Sequence, residues 1–176
     1  EICACLVGSE MCIRDRRKVS NIYFDTHLMV TDPTNLIPLF ALAGSNMLTI
    51  HLESKGDTTA NLKYIKKSGM NAGLAIKPAT DWKEVIPYLP LCDMVLVMTV
   101  EPGYGGQGFI PQCADKVAML RKYCNENGFD KMNIQVDGGI NTATAATVKD
   151  AGANVLVAGT YLFRAKDMKA AADAIR

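Results

Sequence analysis

Short apolar runs rich in β-branched residues recur along the chain, and each run is followed by polar residues or glycine. Runs of about four to eight such residues are typical of buried strands in a parallel sheet. The pattern predicts six strands, at residues 22–25, 47–51, 72–76, 94–99, 133–136 and 155–158.

Three junctions between the predicted elements share a pattern of small residue, glycine, any residue and asparagine, at Gly44, Gly69 and Gly152. A glycine at this position ends a helix in the left-handed conformation, and an apolar run follows at once. Helix starts are marked by Asp32, Asp57, Thr80, Pro111 and Asn141, and a final helix is expected over 166–175. The alternation of strand and helix predicts an α/β fold of the TIM-type (β/α) barrel class.

Six strands are fewer than the eight of a closed barrel, and 176 residues are fewer than the roughly 200 that such barrels need. The first sixteen residues show neither a strand-length apolar run with turn signals nor a capped helix. We therefore expect an irregular segment at 1–18 and a partial barrel of about six βα units at 19–176. The missing units are expected at the N-terminus, as in a shortened gene product.

Charge and cysteine content limit the classes of partner. Nineteen basic and eighteen acidic side chains are spread along the chain for a net charge of +1, which leaves no basic surface for nucleic acid or anionic lipid. No apolar run approaches the roughly 20 residues that span a bilayer. The six cysteines lack CxxC spacing, which favours a reducing compartment, the cytosol, over a disulfide framework.

Glycines follow three of the predicted strands, in residues 97–109, 134–139 and 155–160. Glycine lets backbone N–H groups approach an anion without interference from a Cβ atom, which is how many loops hold phosphate. The carboxyl ends of parallel barrel strands meet at one face, where active sites lie. The three loops therefore predict one shared phosphate-bearing ligand.

Position at strand ends selects five candidates for chemistry: His27, His51, Lys77, Glu101 and Asp137. In an eight-stranded frame His27 and Asp137 stand on opposite sides of the barrel mouth, where imidazole and carboxylate suit Zn²⁺, Fe²⁺, Mn²⁺ or Co²⁺. His27 and His51 are equally compatible with structural roles, and Asp137 with an ordinary Asp-Gly turn. Glu101 most simply shapes its loop.

Three side chains near strand ends, Lys77 and two methionines, admit two interpretations each. Lys77 is either a charged neighbour of phosphate or a Schiff-base lysine for a carbonyl substrate. Met29 and Met98 are either core residues or walls that shield a reactive intermediate from water.

Five motifs in order along the chain resemble the ribulose-phosphate 3-epimerase family. They are Phe24-x-x-His27-x-Met29-Val30, His51-x-Glu53, the loop from Val97 to Gln107, Val136-Asp137-Gly138-Gly139 and Gly159-Thr160. The resemblance covers about residues 19–176 and leaves residues 1–18 outside it.

The resemblance implies interconversion of D-ribulose 5-phosphate and D-xylulose 5-phosphate in the pentose phosphate pathway, by two-base proton transfer through an enediolate on a β/α barrel with one divalent metal. It implies a homo-oligomer for the full-length family member. It implies that His27 and Asp137 ligate the metal and that Asp137 is also the catalytic acid/base. Met29 and Met98 are implied to line the reacting centre. The implied substrate contacts are His27, Met29, Met98, Gly103, Tyr104, Gly105, Gly106, Asp137, Gly138, Gly139, Gly159 and Thr160.

The chain departs from the family at the strands that precede residue 19. The family's second strand carries a His-x-Asp pair and its first strand a serine, and neither has a counterpart here, since Asp15 lacks the upstream histidine. We therefore expect this polypeptide to bind metal poorly and to have little epimerase activity. The alternatives are an epimerase of another ketose phosphate such as D-allulose 6-phosphate, a Schiff-base aldolase using Lys77, and an inactive barrel fragment.

Overall fold

A computed structural model describes residues 2–104 and 106–176, with side chains from residue 10 onward. Gly105, one of the predicted substrate contacts, lies outside the described residues. The strands are β1 Asp25–Leu28, β2 Met47–His51, β3 Asn71–Ile76, β4 Met94–Met98, β5 Asn133–Asp137 and β6 Val155–Val157. The helices are α1 Ile2–Arg17, α2 Ile37–Ala43, α3 Thr58–Lys67, a 3-10 helix Trp82–Leu91, α4 Gln112–Glu126, α5 Thr142–Asp150, α6 Gly159–Phe163 and α7 Met168–Asp173.

The chain divides into two compact units. The first comprises the chain up to Ala75 together with Tyr88–Asp93, and the second comprises Ile76–Pro87 and Met94–Arg176. In the first unit β1 pairs with β2 and β2 with β3, and in the second β4 pairs with β5 and β5 with β6, always in parallel. The predicted α/β class and the six strands in strict alternation with helices are confirmed.

The strands lie close to their predicted positions except for β1, which was expected at 22–25 and begins at Asp25. Asn46 accounts for the difference. Its backbone N–H donates to Phe24 O at 3.0 Å, and its side-chain Oδ1 accepts from Phe24 N at 2.8 Å. Because the backbone N–H of Phe24 is bonded to this side chain, the regular ladder of backbone hydrogen bonds starts one residue later. Ile22 and Tyr23, which precede it, are exposed.

The same arrangement recurs in each unit: the backbone N–H of a polar residue donates to the carbonyl of a partner residue, and its side-chain oxygen accepts from the partner's backbone N–H. Asp93 N donates to Ala72 O at 2.8 Å, and Asp93 Oδ2 accepts from Ala72 N at 2.8 Å. Asn154 N donates to Ile134 O at 3.1 Å, and Asn154 Oδ1 accepts from Ile134 N at 2.8 Å. These pairs fix where neighbouring strands begin relative to one another.

The expectation of an irregular N-terminal segment was wrong, because residues 2–17 form α1. Glu10 and Arg14 pair one turn apart at 3.4 Å, and three arginines in the last turn complement the negative end of the helix dipole. The Arg17 guanidinium also lies 3.8 Å over the Phe24 ring. The Arg17 contact joins the end of α1 to residues outside it, which the local sequence of the segment does not predict.

The glycine helix stops are confirmed at all three junctions, with φ angles of 92° at Gly44, 83° at Gly69 and 103° at Gly152. At two of these junctions, an arginine side chain donates a hydrogen bond to the glycine carbonyl. Arg17 Nε donates to Gly44 O at 2.9 Å in the first unit, and Arg121 Nε donates to Gly152 O at 3.0 Å in the second. The glycine carbonyls at these two helix ends therefore each have a charged donor.

Helix starts follow the predicted caps in part. Asp57 caps α3, and Asn141 caps α5 in a capping box with Thr144. Asp32 does not start a helix, because its carboxylate accepts from a backbone N–H two residues on and forms a turn, so α2 begins only at Ile37. The predicted last helix at 166–175 is shorter, Met168–Asp173.

Strands β2 and β4 are buried along their whole length, which fits parallel strands covered on both faces. Within residues 2–104 and 106–176, no helix has the length and apolar character that crossing a membrane requires.

Candidate active site

In the second unit, three strands end at the same level. The register pairs Met98 with Asp137 and Asp137 with Val157, so the segments that follow β4, β5 and β6 leave one edge of the sheet. These segments are the glycine-rich loop after Thr99, the turn Gly138-Gly139 and the start of α6 at Gly159. The common edge predicted for the three glycine-containing segments is thus present within this unit.

The glycine-rich loop after β4 is shaped by its own side chains. Gln107 Nε2 donates to Glu101 O at 2.7 Å and to Tyr104 O at 2.9 Å, which closes the loop on itself. Gly103 and Gly106 have φ angles of 144° and 83°, which L side chains rarely adopt. The Tyr104 side chain is 75% exposed. The glycines therefore serve the loop's conformation as well as access to its backbone.

The turn Gly138-Gly139 after β5 packs directly against the two ends of that loop. A Cβ atom added at Gly138 would lie 2.4 Å from Val100 Cγ2, and one at Gly139 would lie 2.5 Å from Phe109 N. The φ angles are 122° and 65°. Both glycines are therefore required by packing and backbone conformation, which brings the loop and the turn into contact.

Asp137 is the last residue of β5 and is half-buried. Its carbonyl oxygen accepts from the backbone N–H of Thr99 at 2.9 Å, and Thr99 Oγ1 contacts the same oxygen at 3.0 Å and Gly138 O at 2.6 Å. Sequence reasoning did not select Thr99, which the structure places in hydrogen-bond contact with both carbonyls. The signal was present, because Thr99 is the single polar residue in the run from Met94 to Val100.

Gly159 begins α6, and a Cβ atom added there would meet nothing within 4 Å. The neighbouring Tyr161 hydroxyl lies 2.7 Å from Thr142 Oγ1 at the start of α5. The N-termini of α5 and α6 are thereby linked, with open space beside Gly159. This arrangement fits the predicted approach of a ligand to Gly159 and Thr160, which stays a prediction.

In the first unit, His27 on β1 and His51 at the end of β2 form a chain with Glu53. The two Nε2 atoms lie 2.8 Å apart, and the rings stack with centroids 4.9 Å apart. His51 Nδ1 lies 3.1 Å from Glu53 Oε2, and the His51 side chain is 5% exposed. Met29 follows β1 and is half-buried. His51 and Glu53 thus accompany His27 at its strand end.

The side chains described do not by themselves fit a metal ion. No group of three or more histidine, cysteine, aspartate or glutamate side chains in the described part of the chain is arranged to hold one. His27 Nε2 is engaged with His51 Nε2 at 2.8 Å. The predicted ligand pair of His27 and Asp137 draws one residue from each unit and stays a prediction.

The segment after β3 that carries Lys77 is held by α4. Lys116 Nζ donates to Lys77 O at 3.0 Å, to Pro78 O at 2.9 Å and to Thr80 O at 2.5 Å. The ammonium group of lysine has three N–H donors, and here each has a carbonyl acceptor. Lys116 therefore fixes the backbone of Lys77, whereas a Schiff-base role for Lys77 stays a prediction.

The three cysteines Cys92, Cys113 and Cys124 are buried and free. Burial, with a smaller contribution from the Asp93 charge, raises the pKa of the Cys92 thiol to about 12. Burial also raises the pKa values of Cys113 and Cys124. Thiols that stay protonated are poor nucleophiles, so these three are not candidates for nucleophilic chemistry.

Comparison with known sequences gives a family. The profile described as "Ribulose-phosphate 3 epimerase family" matches residues 6–163. The ribulose-phosphate 3-epimerase of Candida glabrata is 46% identical over 145 residues, with 82% of this chain and 57% of that protein covered. The Schizosaccharomyces pombe protein of the same name is 40% identical, with 88% and 65% covered, and the Bacillus subtilis protein is 38% identical, with 91% and 74% covered.

The chain thus spans 57% and 65% of the length of the two yeast relatives. The profile match begins at residue 6, within the segment that we placed outside the family resemblance. The domain boundary at residue 19 stays a prediction.

Solved structures share the fold at low sequence identity. KGPDC from Streptococcus mutans has a TM-score of 0.71 at 16% identity, over 96% of this chain and 77% of that chain. 3-Hexulose-6-phosphate synthase from Salmonella typhimurium has a TM-score of 0.63 at 18% identity, over 97% and 77%. Likeness at this identity concerns the fold alone, and it agrees with the TIM-type class.

Proposed function

The chain belongs to the ribulose-phosphate 3 epimerase family, and on this basis we propose that its site is built to interconvert D-ribulose 5-phosphate and D-xylulose 5-phosphate. One observation carries the proposal. Asp137 ends β5 at the sheet edge from which the three glycine-containing segments leave, so the carboxylate residue and the segments proposed to hold phosphate share one edge.

The chemistry at Asp137 is a proton transfer. The carboxylate removes the proton from the carbon next to the ketone, the C–H electron pair moves into the new C=C bond, and the ketone oxygen takes the charge of an enediolate. Return of a proton to the same carbon on the opposite face gives the epimer. Binding of the distant phosphate by the glycine segments holds this carbon in place and contributes to the rate through orientation.

The return of the proton on the opposite face needs a second acid/base group. The family resemblance assigns this group, and further metal ligands, to a His-x-Asp pair that has no counterpart in this sequence. We therefore expect the 176-residue polypeptide to complete few epimerisations, although Asp137 exchanges the substrate proton.

Proton exchange with solvent tests the role of Asp137 separately from net epimerisation. The protein is incubated with D-ribulose 5-phosphate, and separately with D-xylulose 5-phosphate, in D₂O, and loss of the C3 proton signal is followed by NMR. Because exchange on one face needs one base, we expect deuterium to enter one of the two sugars, and Asp137→Asn to lose at least about 100-fold of that rate.

Two controls accompany this experiment. Asp130→Asn changes an exposed carboxylate outside the site and should keep the parent rate. Exchange that persists in Asp137→Asn contradicts the proposal. Borohydride trapping of either sugar on Lys77 instead supports the aldolase alternative, and faster exchange of D-allulose 6-phosphate supports an epimerase of that sugar.

We also infer a cytosolic location and a homo-oligomer. Buried free thiols with raised pKa values suit a reducing compartment, and one relative, from rice, is named a cytoplasmic isoform. The homo-oligomer rests on the family resemblance. Light scattering coupled to size-exclusion chromatography measures it, and a monomer at all concentrations contradicts it.

A further inference from the structure

Thr99 follows β4 and is completely buried. Its backbone N–H, its carbonyl and its hydroxyl each form hydrogen bonds at the edge of the site. Its backbone N–H donates to Asp137 O at 2.9 Å. Its hydroxyl lies 2.6 Å from Gly138 O and 3.0 Å from Asp137 O. Its carbonyl accepts from Ile110 N at 2.9 Å, which joins the two ends of the glycine-rich loop.

These hydrogen bonds hold the main chain at Asp137, the proposed catalytic residue, and at the residue that follows it. Asp137 O and Gly138 O are consecutive carbonyls, and the Thr99 hydroxyl reaches both from one side. A hydroxyl has one proton, so it donates mainly to the closer Gly138 O. Gly138 has a φ of 122°, which glycine adopts freely, so glycine itself does not fix the course of the turn and these hydrogen bonds restrict it.

We propose that Thr99 is a positioning residue that aims the Asp137 carboxylate by holding the carbonyls of Asp137 and Gly138, and that couples this turn to the glycine-rich loop. The proposal rests on the proposed function of Asp137. It assigns the hydroxyl, and not the bulk of the side chain, because the backbone bond to Asp137 O remains in any variant whereas the bond to Gly138 O depends on Oγ1.

The test compares Thr99→Val, which keeps the shape and removes the hydroxyl, with Thr99→Ser, which keeps the hydroxyl. We expect Thr99→Val to slow C3 proton exchange at saturating substrate by about 10- to 100-fold with KM little changed, since a small misplacement of a catalytic group costs that much. Thr99→Ser should return close to the parent rate. If valine fails to fold, Thr99→Ser against Thr99→Ala gives the same comparison.

Thr49→Val is the matched control. Thr49 is equally buried, and its Oγ1 has no hydrogen-bond partner among the residues that the structure describes. The control therefore introduces valine for a buried threonine without removing a bond at the Asp137 turn, and it should melt no earlier than the parent.

Hydrogen–deuterium exchange of backbone amides, read by mass spectrometry, separates this proposal from the proposed function. We expect Thr99→Val, and not Thr99→Ser, to speed amide exchange in peptides that cover residues 100–110 and 137–141. If the parent protein shows no substrate exchange, the proposed function fails, and the amide data still decide the role of Thr99. Equal amide exchange in the valine and serine variants, or an equal substrate exchange rate per folded molecule, overturns the positioning role.

Discussion

His27 and His51 face each other with their Nε2 atoms 2.8 Å apart, so one imidazole donates and the other accepts. Glu53 decides which, because its carboxylate lies 3.1 Å from His51 Nδ1 and can only accept. His51 therefore carries its proton on Nδ1 when neutral and accepts at Nε2 from His27. A carboxylate thus sets the tautomers of two histidines in sequence.

Glu53→Ala should remove the preference of His51 for one tautomer. We expect the fraction of neutral His51 protonated at Nε2 to rise, because no carboxylate remains to hold the proton on Nδ1. Two-dimensional ¹⁵N–¹H NMR of the imidazoles, whose nitrogen shifts distinguish the two neutral tautomers, measures the fractions. Glu126→Ala, which removes an exposed carboxylate on α4, is the control, and unchanged His51 signals in Glu53→Ala would show that the contact does not set the tautomer.

Gly139→Ala should destabilise the protein by about 2–4 kcal/mol, because the new Cβ would lie 2.5 Å from Phe109 N in a backbone with a φ of 65°. Gly108→Ala is the matched variant, since a Cβ there would meet nothing within 4 Å. Thermal unfolding followed by circular dichroism compares the two. Equal melting temperatures would mean that the turn and the loop do not touch as described.

Lys116→Met should cost about 2 kcal/mol of the free energy of unfolding. The substitution keeps the length of the side chain and removes the donor shared by the carbonyls of Lys77, Pro78 and Thr80. Urea unfolding measures the change. Lys122→Met on the same helix breaks only a solvent-exposed ion pair at 4.0 Å and should stay within about 0.5 kcal/mol of the parent.

Cys92 should resist iodoacetamide in the folded protein at pH 8. With a pKa of about 12, roughly one molecule in ten thousand carries the thiolate. Peptide mapping by mass spectrometry should find Cys92 modified only after unfolding, whereas the exposed Cys12 reacts at once. Since the unfolded thiol ionises near pH 9 and the folded one near 12, ionisation of Cys92 also lowers stability as the pH rises between those values.

Zn²⁺ should bind the 176-residue polypeptide only weakly, because the described residues include no cluster of three ligand side chains. Isothermal titration calorimetry measures the affinity. A dissociation constant in the nanomolar range, lost in Asp137→Asn, would contradict this expectation and support Asp137 as a ligand.

Local sequence signals predicted the elements whose ends are set by local chemistry. Gly44, Gly69 and Gly152 end helices in the left-handed conformation, and Asn141 caps α5, because each acts on its own neighbours. The ends of β4 and β5, with Asp137 at the second, follow from the apolar runs. This is the part of the candidate site that could be predicted.

The remaining features depend on residues far apart in the chain. The start of β1 is set by Asn46, 22 residues beyond Phe24, and α1 is held at its end by Arg17 contacts with Gly44. Thr99 acquires its hydrogen bond to Gly138, 39 residues away in the chain, only when β4 and β5 lie side by side. No local pattern carries such information, since the hydrogen-bond partner is chosen by the fold.

The arginine that covers a glycine helix end has a consequence for the divergence of relatives. A methyl group at Gly44 would come within 2.9 Å of Arg17 Cγ, and one at Gly152 within 2.5 Å of Arg121 Cγ. A side chain larger than hydrogen and an arginine therefore exclude each other at both places. Each glycine is therefore required twice over, by the left-handed backbone and by the arginine packed against it, and related sequences that keep the arginine should keep the glycine.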